Sequence, residues 1–113
     1  MQTWDTRTLD VEAHHPQVLH SDDEGRTIVI QLPAGEALQD HQVHERAWII
    51  VVDGEVEIQS GDGTETGGPG FLALTEPKER HEVRAKSDAR LLLVLAPWPG
   101  PGHPSEAGQR AEA

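Results

Sequence analysis

Two stretches decide the fold of this chain: GEALQDHQVHE at residues 35–45 and GFLALTEPKERH at residues 70–81. Each contains histidine beside a strand-like run, and the two stretches lie far apart in the sequence. A metal site needs ligands that the fold brings together from separate parts of a chain. The histidines of these two stretches are therefore the leading candidates for function.

Short apolar or alternating runs separated by turn residues are typical of an all-β protein. We predict strands at residues 26–32, 47–52, 55–59, 71–74, 80–85 and 90–96. Asp53-Gly54 is typical of a tight hairpin turn, which would pair the second of these strands with the third. That pairing places four apolar residues on the inner face: Ile49, Val51, Val56 and Ile58.

The 113 residues are expected to form one domain, because they leave no room for a second core. We divide the chain into an N-terminal extension or edge strand at residues 1–17, a barrel at 18–96 and a Pro/Gly-rich tail at 97–113. The end of this tail is predicted to be disordered, and Trp98 to fix its first part to the body. The glycine-rich segment 61–70 is predicted to be a loop.

Composition excludes several classes of function. The chain has no cysteine, so any metal must be held by His, Asp, Glu or water. The formal net charge of -11 argues against binding to nucleic acid and to anionic membranes. No apolar run approaches the roughly 18–20 residues of a transmembrane helix, and the N-terminal residues lack the apolar core of a secretion signal. We expect a soluble cytoplasmic protein.

Strand alternation predicts which residues of the first stretch face the interior. Counting back by twos from Ile49 on an unbroken strand brings Glu45 and His41 inward and turns His44 outward. A β-bulge between His41 and Ala47 would instead bring His44 inward and expel Glu45. Both arrangements stay open at this point.

In the second stretch, His81 shares a face with Val83 and Ala85, so it is also expected to point inward. Imidazole suits Zn, Fe, Ni or Mn. A set of three ligands would leave open positions for water or substrate. The other interpretation is a pair of inward histidines satisfied by hydrogen bonds. The candidate metal ligands are His41, His81 and one of His44 and Glu45.

The arrangement of these residues resembles the cupin superfamily over residues 18–96. Its first motif reads Gly-x5-His-x-His, then three or four residues, Glu-x6-Gly, and its second reads Gly-x5-Pro-x-Gly-x2-His-x3-Asn. The sequences LPAG at 32–35 and DARLLLV at 88–94 are also similar to this family. The matching motif residues are Gly35, His41 and Gly54 in the first motif and Gly70 and His81 in the second, with Pro77 one place late.

Other motif positions depart from the family pattern. Val43 stands in place of the second histidine, with His44 one place late, and Ala47 stands in place of the glutamate. Lys78 and Ala85 replace the glycine and asparagine of the second motif. The resemblance implies a double-stranded β-helix barrel that is often dimeric and commonly holds a divalent metal in its mouth.

The residues and the resemblance together suggest three candidate functions. The first is a small cupin that binds a divalent metal and a small organic ligand in the barrel mouth, with oxygenase or isomerase chemistry if it is an enzyme. The second is a metal-free binding or sensing module. Val43 and Ala47 favour the second, because they make the pocket wall less polar. A structural dimer without a ligand is the third candidate.

An apolar stripe is predicted on the outer face at Trp48, Ile50 and Val52. Such a stripe is typical of an interface, so we expect a homodimer through this face. Cover by the N-terminal strand or by the Trp98 tail is the alternative.

The remaining charged residues and histidines receive no site role. A charged outer strand is predicted from Glu76, Glu79, Glu82, Arg80 and Arg84. The histidines expected to be solvated are His14, His15, His20 and His103.

Overall fold

The fold is seen in a computed structural model that describes residues 1–41, 43–61 and 63–103, without the side chains of residues 39–41. Over this part the chain is all-β, as the alternation predicts, and no helix in it is long and apolar enough to cross a membrane. Its strands are β1 (Gln17–Ser21), β2 (Arg26–Leu32), β3 (Ala37–His41), β4 (Arg46–Asp53), β5 (Val56–Ser60), β6 (Gly63–Gly67), β7 (Leu72–Thr75), β8 (His81–Ala85) and β9 (Ala89–Ala96).

The strands form two antiparallel sheets with the core between them. The five-stranded sheet has the order β1-β2-β9-β4-β7, and the four-stranded sheet has the order β3-β8-β5-β6. Alternate residues of each strand point inward, so both sheets contribute apolar side chains to one core. The buried cluster consists of Ile30, Leu32, Ile49, Val51, Val56, Ile58, Val83, Ala85, Ala89 and Leu91.

The predicted hairpin between β4 and β5 is wrong. Strand β4 pairs with β7 and β9, whereas β5 pairs with β6 and β8, so the two strands lie in different sheets. The turn between β4 and β5 lies against the turn between β8 and β9. The two turns approach so closely that a Cβ on Gly54 would overlap the carbonyl oxygen of Asp88. Gly54 also has a φ of 78°, which glycine adopts without strain. The predicted inner face is nevertheless confirmed, because both strands alternate towards the same core.

The predicted loop at 61–70 is also wrong in part, because Gly63–Gly67 forms β6. This strand pairs with β5 along its whole length, and most of its side chains are exposed. An edge strand held by backbone hydrogen bonds needs no apolar face, so hydrophobic alternation gave no signal for it.

Residues 41–52 form neither the unbroken strand nor the single bulged strand that the sequence left open, because the chain divides here into two strands. Strand β3 ends at His41 in the four-stranded sheet, and β4 begins at Arg46 in the five-stranded sheet. The chain therefore changes sheets between the two candidate ligands His41 and Glu45. This crossing puts both of them at one end of the barrel.

We call this end the mouth. In the five-stranded sheet it is marked by Arg46 opposite Ala96. In the four-stranded sheet it is marked by His81, which lies opposite both His41 and Ser60. The histidine stretches of the sequence thus meet at the same edge of the fold.

The first part of the tail packs against the mouth. The guanidinium of Arg26 lies 4.1 Å from the centroid of the Trp98 ring, a cation–π contact that agrees with the expected role of Trp98. The N–H of Gly100 donates to the buried Glu45 carboxylate at 2.6 Å. Residues 104–113, with their predicted disorder, lie outside the described residues.

The N-terminal segment is tied to the outer face of the five-stranded sheet. The guanidinium of Arg90 donates to the carbonyl oxygens of Thr6 and Leu9, at 3.1 and 2.7 Å. Val11 is buried as well. This segment therefore covers part of the outer face near the β2–β9 pair.

We predict that Glu45→Ala loosens the first part of the tail, because it leaves the Gly100 N–H without its acceptor. Hydrogen exchange at the Gly100 amide, followed by NMR, should accelerate about tenfold, the factor that corresponds to one lost hydrogen bond. Glu45→Gln keeps an acceptor oxygen and serves as the matched control, with slow exchange retained. Equal exchange rates in all three proteins would contradict the assigned hydrogen bond.

Candidate functional site

His81 is the first residue of β8 and is buried, with 3% of its surface exposed. Its Nδ1 lies 3.2 Å from the carbonyl oxygen of Glu79. A carbonyl oxygen only accepts hydrogen bonds, so this contact places a proton on Nδ1, which makes Nε2 the nitrogen with the lone pair whenever the ring is neutral. Metal-binding histidines are commonly oriented in this way, by donating their other nitrogen to a carbonyl.

His41 is the last residue of β3, and its Cα lies opposite that of His81 in the β3–β8 ladder. The register shifts between Leu38 and His41, which marks an irregularity just before this pair. Bulges of this kind redirect side chains beside functional sites. The side chain of His41 itself lies outside the described residues.

Glu45 is one of the most deeply buried side chains of the protein, with 1% exposed. It lies one position before β4 and keeps the inward alternation of Ala47 and Ile49. One of its carboxylate oxygens accepts the Gly100 N–H. A carboxylate oxygen has two lone pairs, so the group retains capacity to accept other donors or a cation.

His44 packs against the tail. Its ring meets the ring of His103 edge-on, with the centroids 5.6 Å apart, and His103 in turn contacts Trp98 at 4.8 Å. The Nδ1 of His44 is buried without a hydrogen-bond partner among the described residues. His103, which was expected to be solvated, is thus part of the tail contact instead.

The turn that precedes β8 is attached to the segment that precedes β4. The N–H of Lys78 donates to the carbonyl of Val43 at 2.7 Å, and Arg46 forms an ion pair of 2.8 Å with Glu76. Lys78 has a φ of 67°, in the left-handed region, and it occupies the position where the cupin motif has glycine. These contacts hold the two histidine-bearing segments side by side.

Glu79 lies in this turn, and the prediction that it belongs to an outer charged strand is wrong. Its carboxylate accepts hydrogen bonds from the Ser60 hydroxyl and from the Glu76 N–H. These two bonds, the first above all, lower the pKa of Glu79, and the charge of nearby His81 acts in the same direction. Glu79 therefore stays ionised to a lower pH than an ordinary glutamate.

A cavity of about 280 Å³ opens beside Glu79, between the edge strands β6 and β7. Inward residues of β5 and β7 form part of its wall, including Ile58, Ala73 and Thr75. Ser60 and Glu79 supply a polar end. The cavity is large enough for a small organic molecule and has mainly apolar walls, as ligand sites usually do.

Sequence reasoning did not single out Ser60, Thr75 or Glu79. The alternation of β7 could have placed Thr75 inward, two residues after Ala73. No local pattern indicates that Glu79 and Ser60 meet, because they are brought together by the turn before β8 and the end of β5. Glu82 and Arg84, which were predicted to lie on a charged outer strand, are in β8 and form an ion pair of 3.0 Å.

Among the described side chains, which do not include that of His41, no three His, Asp or Glu groups converge as metal ligands. Within the described side chains, the mouth offers the oriented imidazole of His81 and the buried carboxylate of Glu45 as donors. Imidazole nitrogen with carboxylate oxygen is a donor set that divalent transition metals accept.

Comparison with known proteins supplies a family for this fold. A family profile described as the cupin domain matches residues 28–96, whereas no curated protein matches the sequence. An RmlC-like cupin from Desulfovibrio desulfuricans is similar with a TM-score of 0.73 at 21% identity, covering 86% of this chain and 97% of that one. A cupin superfamily protein from Desulfitobacterium hafniense gives 0.73 at 13% identity, covering 80% and 85%.

The cupin domain of Schizosaccharomyces pombe Cnp3 gives a TM-score of 0.75 at 12% identity, covering 96% of this chain and 73% of that one. At these identities the likeness concerns the fold alone. The two antiparallel sheets agree with the double-stranded β-helix that the motif spacing implies. Because the profile spans more than half of the residues, this chain belongs to the cupin family.

Proposed function

We propose that this protein is a small cupin that binds a divalent metal ion and a small organic ligand in its barrel. The observation that supports the metal site most strongly is the pairing of His41 with His81 at the mouth. Directly opposite residues of antiparallel strands point to the same face, with Cβ atoms about 5 Å apart. The paired backbone positions of these two histidines are compatible with two ligands of one ion.

Glu45 is the third ligand in this proposal. Its carboxylate is buried at the mouth, and within the described part of the chain its hydrogen-bond donor is the Gly100 N–H, a small compensation for the burial of a carboxyl group. His44 packs against His103 instead. The proposed set is therefore His41, Glu45 and His81, in preference to a set with His44.

When bound, a metal with three protein ligands would supply Lewis-acid polarisation of a group at its open position. The residues of this chain would orient the metal ligand His81 and shield the bound molecule from water. The Glu79 carbonyl would fix the tautomer of His81, and the apolar wall of the cavity would exclude water from one side of the ligand.

A metal-free binding module is the second candidate. It is favoured by the wall of the cavity, whose lining in the described part of the chain includes no histidine. Ala47, which stands where the family motif has glutamate, is buried opposite Thr75 and offers no metal ligand.

We predict that the purified protein binds about one equivalent of Zn, Ni, Mn or Fe, measured by elemental analysis and isothermal titration calorimetry. Metal at a hundred times its Kd should stabilise the fold by about 2.7 kcal/mol, seen as a rise in Tm. The double variant His41→Ala/His81→Ala should lose both effects, because it removes two of the three ligands.

The control for this experiment is His20→Ala, because His20 is exposed and is bonded to Asp22. Metal binding that survives in the double variant would contradict the assigned ligands. No metal, together with an unchanged Tm in excess metal, would support the metal-free module instead.

We also propose that the protein forms a homodimer through the outer face of the five-stranded sheet. Trp48 and Ile50 lie opposite Leu74 and Leu72 of the edge strand β7, so the stripe continues onto that strand. Leu72 and Leu74 are 55% and 50% exposed. A contiguous apolar stripe of this kind is typical of an interface, and we assign it to a second copy of the same chain.

The variant Leu72→Arg should shift the protein from dimer to monomer in light scattering coupled to size-exclusion chromatography, because it buries a charge in the proposed interface. Val18→Arg is the matched control, since Val18 is an exposed apolar residue on β1, at the opposite edge of the same sheet. A monomeric wild type, or a dimer that persists in Leu72→Arg, would contradict the proposed interface.

A further inference from the structure

The cavity between β6 and β7 has a distinctive charge pattern. Glu65 and Glu79 line it, and its lining in the described part of the chain includes no Lys, Arg or His. The Glu79 carboxylate is held at the cavity by hydrogen bonds from the Ser60 hydroxyl and the Glu76 N–H. A cation would be attracted into this cavity, whereas a carboxylate or phosphate would be repelled.

Thr75 provides an independent indication that the cavity takes a ligand. Its side chain lines the cavity and is 3% exposed. Its Oγ1 is buried without a hydrogen-bond partner among the described residues. Buried hydroxyl groups are rarely left unpaired, because the loss of their hydrogen bonds to water is costly. A rotation of the Thr75 side chain towards the cavity would let a ligand with an N–H donor satisfy this oxygen.

We propose that the organic ligand of this cupin is a primary ammonium compound with a short apolar body. Its ammonium group would donate hydrogen bonds to Glu79, Ser60 and Thr75, three acceptors that match its three N–H donors. Its apolar body would lie against Phe71, Ile58 and Ala73. This inference rests on the proposed ligand-binding role of the barrel, and it does not require the metal.

The bonds already made in the cavity are compatible with this role. The Ser60 hydroxyl has one proton, which serves the Glu79 carboxylate or the Arg80 carbonyl, and its oxygen lone pairs can still accept. The Glu79 carboxylate uses one lone pair on each oxygen for Ser60 and Glu76 and keeps the others. An ammonium group would therefore add hydrogen bonds without breaking the existing ones.

The test uses three probes with the same apolar chain: n-hexylammonium, n-hexanol and hexanoate. Affinities are measured by calorimetry, and the affected residues are mapped by NMR on the metal-free protein. We expect hexylammonium to bind at least about tenfold tighter than hexanol, with shifts at Thr75 and Glu79, and hexanoate to bind most weakly. Equal affinity for hexanol, or tighter binding of hexanoate, would overturn the proposal.

Two variants test the named groups. Thr75→Val and Glu79→Gln should each weaken hexylammonium binding by about tenfold. The control is Glu82→Gln, which should leave this binding unchanged because Glu82 is on the face of β8 opposite to the buried His81 and Val83. Thr75→Val removes an unpaired hydroxyl, so its urea midpoint should equal or exceed that of the wild type. If that variant unfolds, Glu79→Gln carries the test, because the Glu79 side chain is in a surface turn. Unchanged binding in Glu79→Gln would overturn the proposal.

The double variant His41→Ala/His81→Ala separates this inference from the metal proposal. It should lose metal and retain hexylammonium binding. Metal binding without any ammonium preference would overturn the ligand assignment and leave the metal site in place. Preferential ammonium binding by a wild-type protein that binds no metal would support the ligand assignment and overturn the metal site.

Discussion

The hydrogen bond of 2.7 Å from the Lys78 N–H to the Val43 carbonyl holds the two halves of the mouth together. It joins the turn before β8 to the crossing between β3 and β4. Through this contact His81 and the Glu45 segment face a common interior although they belong to different sheets. Lys78 adopts a left-handed conformation to make it, a local strain that the surrounding contacts must offset.

Much of the fold could be predicted from the sequence, because alternation with period two determines which face of a strand is buried. That rule placed Ile49, Val51, Val56 and Ile58 correctly even though the assumed hairpin was wrong. Strand pairing was harder to infer, because the same turn residues serve a hairpin and a crossing between sheets. The close approach of Gly54 to Asp88, which decides between these, is a tertiary contact without a local signal.

The candidate site was predictable to a smaller extent. The inward position of His81 follows from its place before Val83 and Ala85, and its burial agrees with this. The neighbours that control the site come from distant parts of the chain. Gly100 reaches Glu45 across 55 residues, and Ser60 meets Glu79 through the end of another strand. Such contacts depend on the register of whole sheets, which a short stretch of sequence does not determine.

The central claim is that the histidines at positions 41 and 81 hold one metal ion between two paired strands. Anomalous diffraction from crystals of the protein grown with Zn or Ni tests it most directly. We predict a single strong peak about 2.1 Å from a ring nitrogen of each histidine, with a Glu45 oxygen at a similar distance. A peak that touches only one of the two rings, or imidazoles that point to opposite faces of the sheet, would contradict it.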